Sequence, residues 1–187
     1  MKYTLENQET NRLRFRFFTK EDSKIWLPFF KDRSIWRFLC LDESKTDDEI
    51  NDFWWDKCES RYKENRGGLM AVELKHTGEL LGMCGLLVQT IDDKSRLEVG
   101  YSFLPHSRGY GYATEAAQFA KNYGFEHGHD RDFGGSLVSM IHHDNLPSKA
   151  VAQRNGMQLE TETIMERGQP FNIFSITREI WERDRER

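Results

Sequence analysis

Apolar residues in this chain change their spacing several times, and each change marks an element. From Arg12 to Phe18 apolar and basic residues alternate (RLRFRFF), the two-residue period of a strand with one face buried. Thr19-Lys20-Glu21-Asp22 reads as a helix start with Thr19 as N-cap. Ile25, Trp26, Phe29 and Phe30 follow at helical spacing, and Pro28 among them predicts a short or bent element. Thr46-Asp47-Asp48-Glu49 is a capping box that opens a helix to about Asn65, closed by Gly67-Gly68. Its buried stripe is expected to hold Ile50, Phe53, Trp54 and Tyr62.

Downstream the period shortens again. Leu69 to Leu74 and Leu80 to Thr90 flank His76-Thr77-Gly78-Glu79 and predict a hairpin; Asp92-Asp93-Lys94-Ser95 turns the chain into a third strand, Arg96 to Leu104. Pro105 ends that strand, and His106 to Ala113 forms a loop that runs into a helix. Ala113, Ala116, Ala117, Ala120, Tyr123 and Gly124 fall on one face of the helix, small enough to lie close on a sheet. Ser136 to His142 predicts another strand, Asp144-Asn145-Leu146-Pro147 the start of a short helix, and Asn155-Gly156 its end. Thr161 to Arg167 and Phe171 to Ile180 read as a terminal hairpin around Gly168-Gln169-Pro170, with a charged tail that frays after Trp181. The order predicts an α/β chain: a mixed sheet with helices on both faces, in one domain over residues 1–187. The unit from Arg96 to His142 is expected to be a right-handed crossover between parallel strands.

The loop from Arg108 to Ala113 carries candidate chemistry. Gly109 and Gly111 present amide N–H groups with no side chain in the way, and the helix that follows begins with unpaired N–H groups and a partial positive charge. Such a strand–glycine loop–helix suits a phosphate or diphosphate, with Arg108 as a charge-assisted donor at the rim. A Walker loop would need Gly-Lys-Ser/Thr where Gly111-Tyr112-Ala113 stands, and a Rossmann fingerprint a third glycine. The alternative is a tight strand-to-helix turn with no ligand.

Composition narrows the class. The 187 residues carry 27 Lys+Arg against 31 Asp+Glu, a net charge of -4, which argues against a dedicated nucleic-acid binder. Aromatic residues make up 13%, so rings fill much of the core. The longest apolar run, Leu80 to Val88, is too short to cross a bilayer, and the N-terminal residues hold no apolar stretch of signal-peptide type. The three cysteines, Cys40, Cys58 and Cys84, are odd in number and scattered, so neither a disulfide framework nor a Cys-rich zinc site is expected, and the cytoplasm is the expected compartment. His142 and His143 point to opposite faces of a strand and make a poor metal pair, so no metal is expected. His127-Gly128-His129-Asp130 reads as a solvated connection.

Arg108-Gly109-Tyr110-Gly111-Tyr112-Ala113 resembles the Q/R-x-x-G-x-G/A loop of the GNAT acetyltransferases. Gly111 to Ala116 (GYATEA), Asn145-Leu146-Pro147-Ser148 with Gly156-Met157, and Glu98-Val99-Gly100-Tyr101 are similar to segments of its ribosomal-protein N-terminal acetyltransferase branch. The resemblance covers Glu98 to Met157. It implies a GNAT fold, mostly antiparallel with one parallel strand pair at the cofactor site, acetyl-CoA as donor and a primary amine as acceptor, on a protein N-terminus or a small molecule. It implies that the loop from Arg108 through Ala113 holds the CoA diphosphate, that the backbone of Phe103 and Leu104 pairs with the pantetheine amides, and that Asn145 and Ser148 face the pantetheine arm and thiol end. Branch members are monomers or homodimers.

Direct acyl transfer needs a base for the ammonium, a polarised thioester carbonyl and a donor to the leaving thiolate. Strand alternation puts Glu98 with Gly100 and Ser102, opposite Leu97, Val99, Tyr101 and Phe103, so Glu98 is the candidate base, with a bound water or a merely exposed Glu98 as alternatives. Backbone N–H groups near Val99 to Tyr101 are expected to polarise the carbonyl. Ser148 is the candidate donor to sulfur by analogy, since no tyrosine follows it in its helix. In the N-terminal region Trp54 is expected in the core and Trp36 or Trp55 on the acceptor cleft, where the acidic run Asp42, Glu43, Asp47, Asp48 and Glu49 would attract a cation or simply solvate a helix start. The other reading of the chain is a CoA-binding sensor or interaction module without catalysis.

Overall fold

The computed structural model describes residues 1–164 and 168–186. Seven strands form one sheet: β1 Leu13–Arg16, β2 Met70–Leu74, β3 Leu80–Ile91, β4 Lys94–Phe103, β5 Ser136–His142, β6 Gln158–Ile164 and β7 Pro170–Thr177, in the order β1-β2-β3-β4-β5-β7-β6. Every neighbouring pair is antiparallel except β4 and β5, which are parallel, as expected for the ends of a crossover. Five α-helices accompany the described strands: α1 Lys20–Lys31, α2 Asp47–Lys63, α3 Tyr112–Glu126, α4 Leu146–Arg154 and α5 Arg178–Arg185.

Side-chain alternation assigns the faces. Met83, opposite Ser102 in the β3–β4 ladder, accepts from the Trp54 indole of α2 at 3.5 Å. On the other face Leu86 and Leu137 crowd Gly124 of α3, so the small residues of that helix do bring it close to the sheet. Ala116, Ala117 and Ala120 are buried there, and Lys121 joins them by donating to the Asn155 carbonyl at 2.8 Å. Helices therefore cover both faces, and β4 lies between them with Leu97 and Val99 toward α3 and Glu98 toward α2.

Several local expectations shift. Asp92 and Asp93 both take positive φ (47° and 60°), which closes the β3–β4 hairpin in two residues and starts β4 at Lys94 rather than Arg96. Helix α1 runs for 12 residues and continues past Pro28 to Lys31; Thr19 and Asp22 cap it reciprocally, and proline this near the end removes one donor only. Ile25 and Phe53 are more than half exposed, because the buried stripes run through Trp26, Phe29 and Phe30 in α1 and through Ile50, Trp54, Cys58 and Tyr62 in α2. Strand β6 begins at Gln158, three residues before the expected Thr161, and the last three residues of that expected strand, 165–167, lie outside the described residues.

The C-terminal segment is helical rather than a strand to Ile180 with a frayed tail. Thr177 caps α5 by accepting from the Ile180 N–H at 3.4 Å, and Trp181 stacks on Phe125 of α3. The expected solvated connection before β5 is in fact a fastening point. Asp130 is completely buried in a 3₁₀ turn (His129–Phe133) and forms an ion pair with Arg178, which also donates to the Phe125 carbonyl at 2.7 Å.

Candidate active site

Strands β4 and β5 meet at Glu98 opposite Val138, the registered pair among the described residues, and both continue beyond it, to Phe103 and His142. The continuing stretches border a cleft of about 1530 Å³ that runs from α2, past this seam, to the N-termini of α3 and α4. Alternation along β4 aims the backbone groups of Val99, Tyr101 and Phe103 toward β5 and those of Leu104 toward β3. The Ser139 hydroxyl accordingly donates to the Val99 carbonyl at 2.8 Å, while the Leu104 N–H donates to the Leu81 carbonyl at 3.0 Å. Leu104 also accepts from the Ser107 N–H and does not line the cleft, so both its backbone groups are committed elsewhere.

The glycine loop reaches the cleft as a cradle. Gly109 (φ 86°) and Gly111 (φ 81°) are left-handed; a Cβ at Gly109 would meet nothing within 4 Å, and one at Gly111 only the Arg12 guanidinium at 3.6 Å. Gly111 is the N-cap of α3 without a side-chain cap, so the first-turn amides have no side-chain acceptor. Arg108, Gly109, Gly111, Tyr112 and Ala113 line the cleft. Arg108 donates to the Phe103 carbonyl at 3.0 Å, Arg12 covers the Tyr112 ring at 4.6 Å, and Glu115 holds Arg12 at 2.6 Å. Tyr110 points outward, 65% exposed. Bare amides at a helix start, open space over two glycines and cationic Arg108 and Arg154 along the lining fit a diphosphate and its attached chain.

Glu98 is buried rather than exposed. Its carboxylate accepts from the Gln89 amide at 2.7 Å and from the Met140 N–H at 3.4 Å. Burial pushes its pKa above the ordinary carboxylate range, opposed by those hydrogen bonds and by Arg61 and Lys57. Arg96, two residues before it on the strand, is paired with Glu160 at 2.8 Å and leaves Glu98 without an arginine partner of its own strand. On the opposite face the Tyr101 hydroxyl donates to the Ser148 carbonyl at 2.9 Å and accepts from the Ser148 hydroxyl at 3.2 Å. Burial raises the Tyr101 pKa, so the phenol stays protonated at neutral pH. Asn145 lines the cleft and caps α4 by accepting from the Ser148 N–H at 3.3 Å.

Tyr101 is the functional group that the helix of Ser148 does not announce, because its hydroxyl meets Ser148 from a strand 47 residues earlier. The signal was its alternation with Glu98 on the strand that enters the loop. Trp54 is in the core, as expected, and lines the cleft as well, whereas Trp36 is buried with its indole N–H on the Phe30 carbonyl at 2.8 Å and Trp55 packs toward Phe18, neither of them on the cleft. Cys58 lines the cleft as well, but burial pushes its thiol up to about 12, which keeps it from serving as a thiolate nucleophile. His142 is buried, its ring accepting from the Asp144 N–H at 3.1 Å.

Residues 12–158 match the family described as acetyltransferase (GNAT) domain. YkkB of Bacillus subtilis, itself uncharacterized, is 31% identical over 168 residues, 88% of this chain and 92% of that protein. YoaA of the same organism, named an uncharacterized N-acetyltransferase, is 26% identical over 180 residues, 91% of this chain and 96% of its own. Among solved structures, an acetyltransferase from Agrobacterium tumefaciens superimposes with a TM-score of 0.75 at 20% identity, covering 94% of this chain and 96% of that one. The same fold is found in RimL, the ribosomal L7/L12 alpha-N-protein acetyltransferase, in complex with coenzyme A (TM-score 0.68, 15% identity, 90% and 95% covered). It is also found in a Vibrio cholerae spermidine N-acetyltransferase with CoA and spermine (TM-score 0.68, 16% identity, 92% and 99% covered). The chain belongs to the GNAT acetyltransferase family. By class it is an acetyl-CoA-dependent N-acetyltransferase.

Proposed function

We propose that this protein moves an acetyl group from acetyl-CoA directly to a primary amine, on a peptide N-terminus or a small molecule, within the seam between β4 and β5. The observation that carries the reading is the pairing at that seam of a buried carboxylate on one face and a hydrogen-bonded tyrosine–serine pair on the other. The first-turn amides of α3, with Gly109, Gly111 and Arg108, hold the CoA diphosphate; Tyr112 and Ala113 shape the floor of that cradle, and Tyr110 stacks on Tyr112 at its outer edge. The backbone of Tyr101 and Phe103 is presented toward β5, and a pantetheine arm would pair there like an added strand. Leu104 is left out of that role, and Asn145 serves as the cap that orients Ser148.

Acetyl-CoA supplies an activated acyl thioester. Glu98 takes the proton of the acceptor ammonium on its carboxylate, a task to which a pKa raised by burial suits it. The N–H groups of the β4 backbone beyond Val99 polarise the thioester carbonyl. Tyr101 gives a hydrogen bond to the leaving sulfur by turning its O–H away from the Ser148 carbonyl, and the Ser148 hydroxyl remains on the Tyr101 oxygen. A protonated Cys58 supports direct transfer over an acyl-cysteine route. The scattered cysteine set supports a cytoplasmic setting.

Isothermal titration with acetyl-CoA, followed by thiol release across a panel of amines and peptides, tests the reading. Heat of binding with acceptor-dependent thiol release is the expected result. Binding without turnover of any acceptor would leave a CoA-binding module, and no binding would defeat the proposal.

A further inference from the structure

The part of the cleft walled by α2 and the end of β3 is cationic. Lys57 and Arg61 stand one turn apart on α2, both line the cleft, and both act electrostatically on Glu98. Arg61 is 5% exposed; one terminal nitrogen donates to the Val88 carbonyl at 2.7 Å, and its buried Nε has no hydrogen-bond partner among the described residues. A guanidinium carries five donors, and burying it with donors unanswered is unfavourable until an acceptor arrives. Arg66, also on the lining, is held by Glu64 at 2.7 Å, but neither Lys57 nor Arg61 has a carboxylate within ion-pair distance among the described residues. Glu64 also acts on Arg61 but is itself paired with Arg66, so within the cleft two cations face Glu98, and positive charge is left over where an acceptor must approach.

We infer that the acceptor is a primary amine that also carries a carboxylate, held by Arg61 and Lys57 while its nitrogen reaches Glu98. The inference rests on the acetyl-transfer reading above and narrows it. A polyamine would bring a further ammonium against these two cations, and like charges at a recognition site select against it. The acidic run from Asp42 to Glu49, which would have attracted a cation, does not line the cleft. A free amino acid and an acidic side chain near a peptide N-terminus present the same chemistry.

The test separates those sources. Thiol release from acetyl-CoA is measured with 4-aminobutanoate against 4-aminobutanamide, with the amidated peptides Ser-Asp-Asp and Ser-Asn-Asn, and with spermidine. The expected result is at least a roughly tenfold preference in kcat/KM for the carboxylate member of one pair, the scale of a charge-assisted hydrogen bond, and that pair identifies the source. The preference should collapse in Lys57→Ala and in Arg61→Lys, the second keeping charge while losing the fork, with calorimetric affinity for acetyl-CoA retained. Preference for spermidine or for the neutral members, or an unchanged preference in both variants, overturns the inference. So does acetyl-CoA binding without turnover of either carboxylate acceptor. Absence of acetyl-CoA binding would instead remove the acetyl-transfer reading on which it stands.

Discussion

Glu98 sits where a carboxylate is hard to keep charged, and that sets two opposite pH responses. An unfolded glutamate titrates near 4.3, whereas the folded group titrates higher because burial penalises its anion. The stability gained from holding it neutral is therefore full below the unfolded value and is lost as pH rises through the folded one. Glu98→Gln stays neutral throughout, so its Tm relative to the parent should become more favourable between pH 4 and pH 7, as followed by thermal unfolding. Activity should move the other way. Glu98→Gln is expected to lower kcat/KM by about 10²–10⁴-fold and to erase the acidic limb of the pH–rate profile, while acetyl-CoA still binds. Unchanged turnover would return the base role to a water. Tyr101→Phe should lower kcat by about 10²-fold with donor affinity kept, read from steady-state kinetics and calorimetry. Glu98 could be nominated from strand alternation, but its burial, with Gln89 and Met140 as partners, depends on a neighbouring hairpin strand and a parallel strand far along the chain.

Among the elements, α3 shows best what a sequence makes legible. Its alanine face follows from 3.6-residue spacing, and its start follows from the two glycines, whose positive φ other side chains resist. Gly111→Ala should lose about 1–2 kcal/mol in chemical denaturation, the strain of a left-handed alanine, and should weaken acetyl-CoA binding measured by calorimetry. Wild-type affinity in that variant would detach the loop from the diphosphate. What stayed hidden are features decided by partners distant in sequence. Ile180 and Trp181 read as the end of a strand and its charged tail, yet Thr177 caps α5 there and Arg178 anchors it by reaching Asp130 and the end of α3. Trp54 and Trp55 are equivalent by composition; one residue of helical phase sends Trp54 to the cleft and Trp55 toward Phe18.

At the scale of the whole molecule, β7, α5 and the end of α3 are fastened together by a contact remote from the chemistry. Removing Arg178 strands the fully buried Asp130, and an orphaned buried charge of this kind typically costs about 3–5 kcal/mol, so Arg178→Ala should be markedly less stable in urea, with kcat/KM little changed while folded. Within that frame the seam between β4 and β5 is the place where the ladder parts inside a continuous sheet. Main-chain amides at Tyr101 and Phe103 should accordingly exchange with solvent deuterium faster than those of Leu97 and Val99, which lie beside the Glu98–Val138 pair. A saturating thioester donor should slow that exchange in β4 and leave β1 untouched, so mass spectrometry of deuterated peptides would watch the donor complete the sheet as a transient strand of its own.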